Sequence, residues 1–322
     1  METTTLGRSG LQVTPICFGT WQLGGDWGSF GEDEAIAAIR RAREIGINFF
    51  DTAQGYGFGA SERLLARALG DEIRSDDVVV ATKGGLRPEG DGIVRDSSPE
   101  GVRQGVEASL EALGVEQIDL YQIHWPDPDV SFALTVEMLE ELVQDGKIAH
   151  VGVSNFDAGH LAAFERARPV ETLQPPYHLF RREVEKATLP YCEEHDIGVM
   201  VYGPLAHGLL TGAMSGETSF GDDDWRSASP MFEGEEFRTN LELVAELQRF
   251  ASDRDWTVGQ LAIAWALSHP AVDVAIVGTR SPDHIAESAR AADIRLSDED
   301  RREIDEIMEG AVQVEGPSPE AA

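Results

Sequence analysis

Residues 46–62 read GINFFDTAQGYGFGASE, and the reading of this stretch decides the fold. Ile47-Asn48-Phe49-Phe50 is an apolar, aromatic run suited to a buried strand, and it runs out on Asp51. The glycines that follow allow two interpretations. Gly55, Gly57 and Ala60 match the Gly-x-Gly-x-x-Gly/Ala spacing of a dinucleotide-binding turn between a strand and a helix. Such a turn needs an acid at the end of the next strand and bare backbone against a pyrophosphate. Here the next strand, VVVATK at 78–83, ends on Lys83, and the bulky Tyr56 stands where backbone would have to approach. The second interpretation takes the polar residues themselves as the signal. Asp51 and Tyr56 follow one strand, Lys83 ends another, and His124 follows Ile118-Asp119-Leu120-Tyr121-Gln122-Ile123. Alternating βα barrels build their active sites from the C-terminal ends of several parallel strands, at one rim. An acid, a phenol, an ammonium and an imidazole meeting there suit proton transfer to a substrate oxygen.

Working outward, apolar runs alternate with helix-period stretches along the whole chain, the signature of repeated βα units around a parallel sheet. The pattern predicts strands near 16–20, 47–51, 78–82, 118–123, 148–152, 171–174, 197–202 and 274–277. It predicts helices near 32–45, 60–69, 99–112, 132–145, 157–167, 182–194, 240–268 and 282–291. Ser98-Pro99-Glu100 and Ser281-Pro282-Asp283 read as helix starts, each a capping serine followed by a first-turn proline. Thr257 and Gln260 have capping-box spacing, so the 240–268 helix is expected to break there. Residues 3–14 read as a hairpin turning at Gly7-Arg8-Ser9-Gly10, and Ser297 opens a final helix. The expectation is a single barrel domain over 1–310, with 311–322 a disordered tail. The long connection from about Gly203 to Asn240 reads as a binding loop or lid.

The 322 residues are 42% hydrophobic, enough for one barrel of about 250 residues with additions. No apolar run approaches the roughly 18 residues of a spanning helix, and METTTLGRSG has no signal-peptide core. Cys17 and Cys192 are too few for a disulfide framework, which points to a reducing, cytoplasmic setting. Lys and Arg total 26 against 58 Asp and Glu, a formal charge of −32. That charge argues against nucleic acid or an anionic membrane as partner. Its spread along the chain reads as a solvated coat and suggests a salt-adapted, halophilic host. Eight histidines include neither His-x-His nor His-Glu-x-x-His, so no metal site is expected. The absence of Tyr-x-x-x-Lys argues against a short-chain dehydrogenase.

GINFFDTAQGYGFGASE, VVVATKGG, DLYQIHWPD (119–127), HVGVSNF (150–156), VYGPLAHGLLTG (201–212) and AIVGTRSPDHIAES (275–288) together resemble the aldo-keto reductases. The resemblance runs from the hairpin to the last helix. It implies a (β/α)8 TIM barrel that binds a nicotinamide dinucleotide, NADP in preference to NAD, and reduces a small-molecule aldehyde or ketone. It implies Tyr56 as general acid, with Lys83 lowering the phenol's pKa, Asp51 aiming Lys83, and His124 orienting the carbonyl oxygen. Cofactor contacts would come from Thr20, Trp21 and Asp51, with Ser154, Asn155 and Gln174 on the carboxamide and Tyr202 stacked on the ring. Gly203, Pro204, Leu205, Gly208 and Leu210 would line the pyrophosphate. Gly278, Thr279 and Arg280 precede a helix N-terminus suited to an anion, and Arg280 would take the 2′-phosphate. His284, Glu287 and Ser288 would flank the adenosine, although Ser288 stands where the family usually has Asn and His284 where it has Gln or Arg. Trp21, Tyr56, His124 and Trp125 would meet substrate, with Trp27 and Phe30 as further candidates for the pocket wall. Two alternatives share the implied fold: a redox-sensing regulatory subunit of the channel β type, and an NAD-dependent sugar or polyol dehydrogenase.

Overall fold

The computed structural model describes residues 1–314 apart from 26, 28, 29, 91, 222 and 223. In chain order, strands β1 (Thr4–Thr5) and β2 (Gln12–Val13) form an antiparallel hairpin around a 3-10 turn at Gly7–Ser9. Then follow β3 (Ile16–Gly19), α1 (Glu32–Glu44), β4 (Phe49–Asp51), α2 (Ala60–Leu69) and β5 (Val79–Gly84). A second hairpin, β6 (Leu86–Glu89) and β7 (Gly92–Arg95), precedes α3 (Pro99–Leu113), β8 (Ile118–Ile123) and α4 (Phe132–Gln144). The chain continues through β9 (Ile148–Ser154), α5 (Ala158–Phe164), β10 (Thr172–Gln174), α6 (Thr188–Glu194) and β11 (Gly198–Tyr202). It ends with α7 (Gly234–Ser252), α8 (Val258–Leu267), β12 (Val274–Gly278), α9 (Pro282–Ala289) and α10 (Asp298–Ile307). Eight of the strands close into a parallel barrel in the order β3-β4-β5-β8-β9-β10-β11-β12, and β12 pairs back onto β3. Among the described residues no helix is long and apolar enough to cross a membrane.

The alternation of a strand decides what lies inside, because successive side chains point to opposite faces. Cys17, Phe49, Val79, Ala81, Leu120, Met200, Val274 and Ile276 fill the barrel interior. Their neighbours in sequence, Phe18, Phe50, Val80, Tyr121, Val199, Val201, Ala275 and Val277, pack outward against the helices. Leu6 and Val13 of the first hairpin join the interior cluster and plug the N-terminal end. The same parity carried two or four residues further puts Asp51, Lys83, Gln122, Gln174 and Tyr202 inside, at the opposite end.

The helix starts follow their sequence signals in three of four places, Ser297 closing a capping box with Asp300. The Ser98 hydroxyl accepts from the Gly101 amide, and Thr257 with Gln260 closes a full capping box. Ser281 makes no side-chain cap; instead its amide donates to the Thr279 hydroxyl at 3.0 Å. Three expectations about boundaries need correction, and one element was not foreseen. The helix expected from 182 opens as a 3-10 turn at Glu183–Lys186, and α6 itself starts at Thr188. α7 begins at Gly234, six residues ahead of the expected 240, because Phe237 already lies on its buried face. The hairpin β6–β7 was not foreseen, although Gly90-Asp91 between two short runs is a turn dipeptide. Residues 311–314, expected within a disordered tail, are tied down: Val312 exchanges two hydrogen bonds with the Asn240 side chain, and the Val314 amide donates to Phe180. The rest of that tail lies outside the described residues.

Candidate active site

Strand parity and the bend after β4 bring three of the four proposed proton-handling groups into direct contact. Lys83, with no exposed surface, donates to Asp51 Oδ2 at 2.7 Å, to the Thr52 carbonyl at 2.9 Å and to the Tyr56 hydroxyl at 3.2 Å. An ammonium has three donors, and all three are used. That full set is what makes a buried charge tolerable. The other Asp51 oxygen accepts from Gln174 Nε2 at 2.8 Å and from Gln122 Nε2 at 3.4 Å. His124 follows β8, its amide donating to Gly84, and its ring lies edge-on to Tyr56 with centroids 5.8 Å apart. Gln122 was not singled out from the sequence. Its place two residues before His124 on the same strand is the signal that would have found it.

A cavity of about 520 Å³ opens from Asp51 and Tyr56 toward the β11 and β12 ends of the barrel. This is the size of a small-molecule or cofactor site. Of the proposed cofactor contacts, Trp21, Gln174, Tyr202, Gly203, Pro204, Leu205, Gly208, Gly278, Thr279, Arg280 and His284 line it, and Ser281 joins them. Gly203 (φ 67°) and Gly208 (φ 103°) hold left-handed backbone and add no side chain of their own to the wall. Asn155 sits behind the wall: it donates to the His124 carbonyl and accepts from the Tyr202 hydroxyl at 2.8 Å, which fixes the angle of that ring. The Ser154 hydroxyl donates to the Gln174 carbonyl. Thr20 turns away from the cavity, accepting from Ser61 at 2.6 Å, and Leu210 packs in the outer core. Glu287 and Ser288 lie farther along α9, outside the cavity lining. The bare glycine backbone, the amide donors and the α9 N-terminus fit a dinucleotide.

Arg280 is committed within the protein. Its guanidinium donates to the Gln22 and Trp27 carbonyls, each at 2.9 Å, and lies over the Phe30 ring. Burial lowers its pKa, against the opposing pull of Asp224. Across the cavity mouth, residues that sequence reasoning missed form an aromatic wall. Trp225 stacks on Trp21 at 5.9 Å and meets Trp27 edge-on at 5.6 Å, and the His207 ring stands 5.0 Å from Trp225. Arg226 forks onto Asp224 at 2.6 and 3.0 Å, donates to the His207 carbonyl and covers the Trp27 ring. Burial, then the charges of Arg181 and Arg226, push His207 down to about 3, so its imidazole is neutral. The ones missed, His207, Asp224, Trp225 and Arg226, come from the long connection after β11, whose lack of periodicity hid them; Trp21 and Trp27, already candidates for the pocket wall, come from the loop after β3. Trp125 is buried outside the cavity lining, under Arg95 of β7, whose guanidinium lies 5.3 Å from its ring.

Comparison with known proteins adds a relationship over almost the whole length. Residues 15–309 match the description "Aldo/keto reductase family". The aldo-keto reductase YhdN of Bacillus subtilis is 38% identical over 314 residues, covering 97% of this chain and 95% of its own. The NADH-specific methylglyoxal reductase of Escherichia coli is 33% identical, covering 96% of this chain and 100% of its own. Among solved structures, the glycerol dehydrogenase AKR11B4 from Gluconobacter oxydans superposes with a TM-score of 0.86 at 38% identity, covering 96% of this chain and 95% of that one. The aldo-keto reductase AKR11C1 from Bacillus halodurans does so with a TM-score of 0.80 at 28% identity, covering 97% and 98%.

Proposed function

The chain belongs to the aldo/keto reductase family of NAD(P)-dependent oxidoreductases, and from that premise we propose that it reduces an aldehyde or ketone with NADPH, using Tyr56 as the proton donor. The observation that carries this reading is the buried Lys83 ammonium, 2.7 Å from Asp51 and 3.2 Å from the Tyr56 hydroxyl. When bound, the nicotinamide supplies the hydride. Tyr56 gives its proton to the carbonyl oxygen, and the phenolate left behind is stabilised by the adjacent ammonium. Asp51 keeps that ammonium charged and aimed. His124 directs a hydrogen bond at the same oxygen, and Trp21 and Trp27 bound the space for the rest of the substrate. Gln174 would hold the carboxamide and Tyr202 the ring face, with Ser154 and Asn155 bracing these two from behind the wall. The α9 N-terminus with Thr279 and Arg280 holds the adenosine phosphate. Two buried free thiols accord with a cytoplasmic setting, and residues 1–310 act as one domain.

The test is a panel of aldehydes, ketones and alcohols, methylglyoxal and glycerol included, assayed with NADPH, NADH and their oxidised forms. In wild type at least one carbonyl should turn over. Tyr56→Phe should lose about 10²–10⁴-fold in kcat while keeping its affinity for NADPH. A variant retaining more than a tenth of wild-type turnover, with chemistry rate-limiting, removes Tyr56 from this role. The likeness to a glycerol dehydrogenase favours a second reading, oxidation of a polyol by the same groups in reverse, with Tyr56 phenolate as base. Turnover confined to alcohols and an oxidised cofactor selects it.

A further inference from the structure

The loop that carries Tyr56 is strained. Gly57, Phe58 and Gly59 have φ of 65°, 44° and 89°, three consecutive left-handed residues, one of them bulky. Such conformations persist only where surrounding structure over-determines them. At its start the loop is tied to β5, where the Gln54 amide donates to the Lys83 carbonyl at 2.9 Å. At its end the Ser61 amide donates to the Tyr56 carbonyl at 3.2 Å and α2 begins. The next residue, Glu62, has no exposed surface and accepts from the Thr82 hydroxyl at 2.6 Å. Thr82 immediately precedes Lys83 and points out of the barrel, so Glu62 grips β5 from outside while Lys83 reaches Tyr56 from inside. Loop, helix start and strand thus close a ring, in which the Glu62–Thr82 hydrogen bond joins α2 to the catalytic strand.

We propose that Glu62 is a positioning residue: through Thr82 it sets the end of β5 and the strained loop so that the Lys83 and Tyr56 side chains meet. This rests on the reading of Tyr56 as proton donor. Glu62 also lines a second cavity of about 430 Å³, between α2 and α3, whose wall includes Gln54 and Phe58 of the same loop. Among the described residues Gln54 Oε1 and the Tyr121 hydroxyl have no hydrogen-bond partner, so the link has a polar flank. Burial pushes the Glu62 carboxyl up, against the hydroxyls of Thr82 and Ser109 and the charges of Arg63 and Lys83. Tyr121 is the phenol facing it from β8, and Glu111 lines the cavity from α3. A group pushed toward its neutral form can be replaced by a neutral isostere, and this makes the role separable from charge.

The experiment compares Glu62→Ala, Glu62→Gln and Thr82→Val, the last removing the donor while keeping its volume. For the best carbonyl substrate of the panel, Glu62→Ala and Thr82→Val should lose about 10- to 100-fold in kcat, the scale of a small misplacement of catalytic groups. NADPH dissociation constants should stay within about twofold, because Glu62 touches no wall of the main cavity. Glu62→Gln should restore kcat to within about threefold of wild type. Ultraviolet titration of the Tyr56 phenolate, each protein against its Tyr56→Phe partner, should move to higher pH in Glu62→Ala and Thr82→Val but not in Glu62→Gln. This readout needs no turnover, so it separates failure here from failure of the reductase reading. If Glu62→Ala fails to fold, Thr82→Val carries the test. Unchanged kcat and titration in Thr82→Val, or equal losses in kcat and cofactor affinity, overturn the proposal.

Discussion

At the scale of residues, the site depends on one fully partnered cation. Removing Lys83 takes from buried Asp51 the ammonium that sits 2.7 Å away, and takes from the Tyr56 hydroxyl its neighbouring positive charge. Lys83→Met should therefore match Tyr56→Phe in its loss of turnover and should also be less stable, because breaking a buried ion pair typically costs about 3–5 kcal/mol. A melting temperature equal to wild type would show that Asp51 takes up a proton instead. A role for Arg280 in cofactor preference is part of the proposal and can be tested. A charge-assisted hydrogen bond to a 2′-phosphate is worth roughly 1.5–3 kcal/mol, or about 10- to 100-fold in affinity. Arg280→Ala should weaken NADPH by that factor and NADH far less. Since Arg280 also braces the Gln22 and Trp27 carbonyls, equal losses for both cofactors would show that the bracing is its main work.

At the scale of elements, the N-terminal end of the barrel is stitched by side chains that accept from the neighbouring strand. Asp119 accepts from the Val80 amide, Glu171 from Val151 and Asp273 from Val199. The environments differ. Burial pushes Glu171 up, but its bonds to His150 and Arg168 outweigh that and leave it lowered. Among the described residues Asp273 has no such cation; burial, with the Asp196 charge adding, pushes it from 3.8 up to about 6. A raised carboxyl favours the folded state while protonated, and that contribution is lost as pH rises from 3.8 through about 6. Asp273→Asn keeps an acceptor for Val199 and removes the charge. Its melting temperature should exceed wild type above about pH 6 and converge with it near pH 4. A variant less stable at pH 8 than wild type would show that the charged form is the better partner for the Val199 amide.

At the scale of the whole molecule, a formal charge of −32 on 322 residues opposes compaction through self-repulsion. Arginines answer part of it: Arg43 pairs with Glu72 and Asp77, Arg168 with Glu140 and Glu171, and Arg254 with Asp300 and Glu303. The remainder is screened by salt. The Debye length falls from about 30 Å at 0.01 M to about 3 Å at 1 M, so the melting temperature should climb steeply with NaCl. A flat or falling melting temperature between about 0.05 and 2 M, ionic strengths over which screening tightens, refutes a salt-adapted surface. Sodium sulfate at matched ionic strength separates screening from strengthened apolar burial.

The sequence by itself determined the barrel and marked the candidate groups at its rim. Strand period and strand length are local properties, and a polar residue ending an apolar run is visible before any contact is known. Asp51, Lys83 and His124 were legible for that reason. Tyr56 was legible because a bulky residue between glycines defeats the dinucleotide turn. What only the tertiary structure decided is who meets whom across sequence distance. Gln122 and Gln174 lie far from Asp51 in the chain and bond it because β8 and β10 face the same interior. The aromatic wall of Trp21, Trp27, Trp225 and His207 joins the loop after β3 to the long connection after β11, neither of which has a period to read. Glu62 reads in sequence as an ordinary acid in the first turn of an amphipathic helix; only the closure of α2 onto β5 buries it against Thr82. Parity along a strand is written in the chain, whereas the partner across the barrel is set by closure.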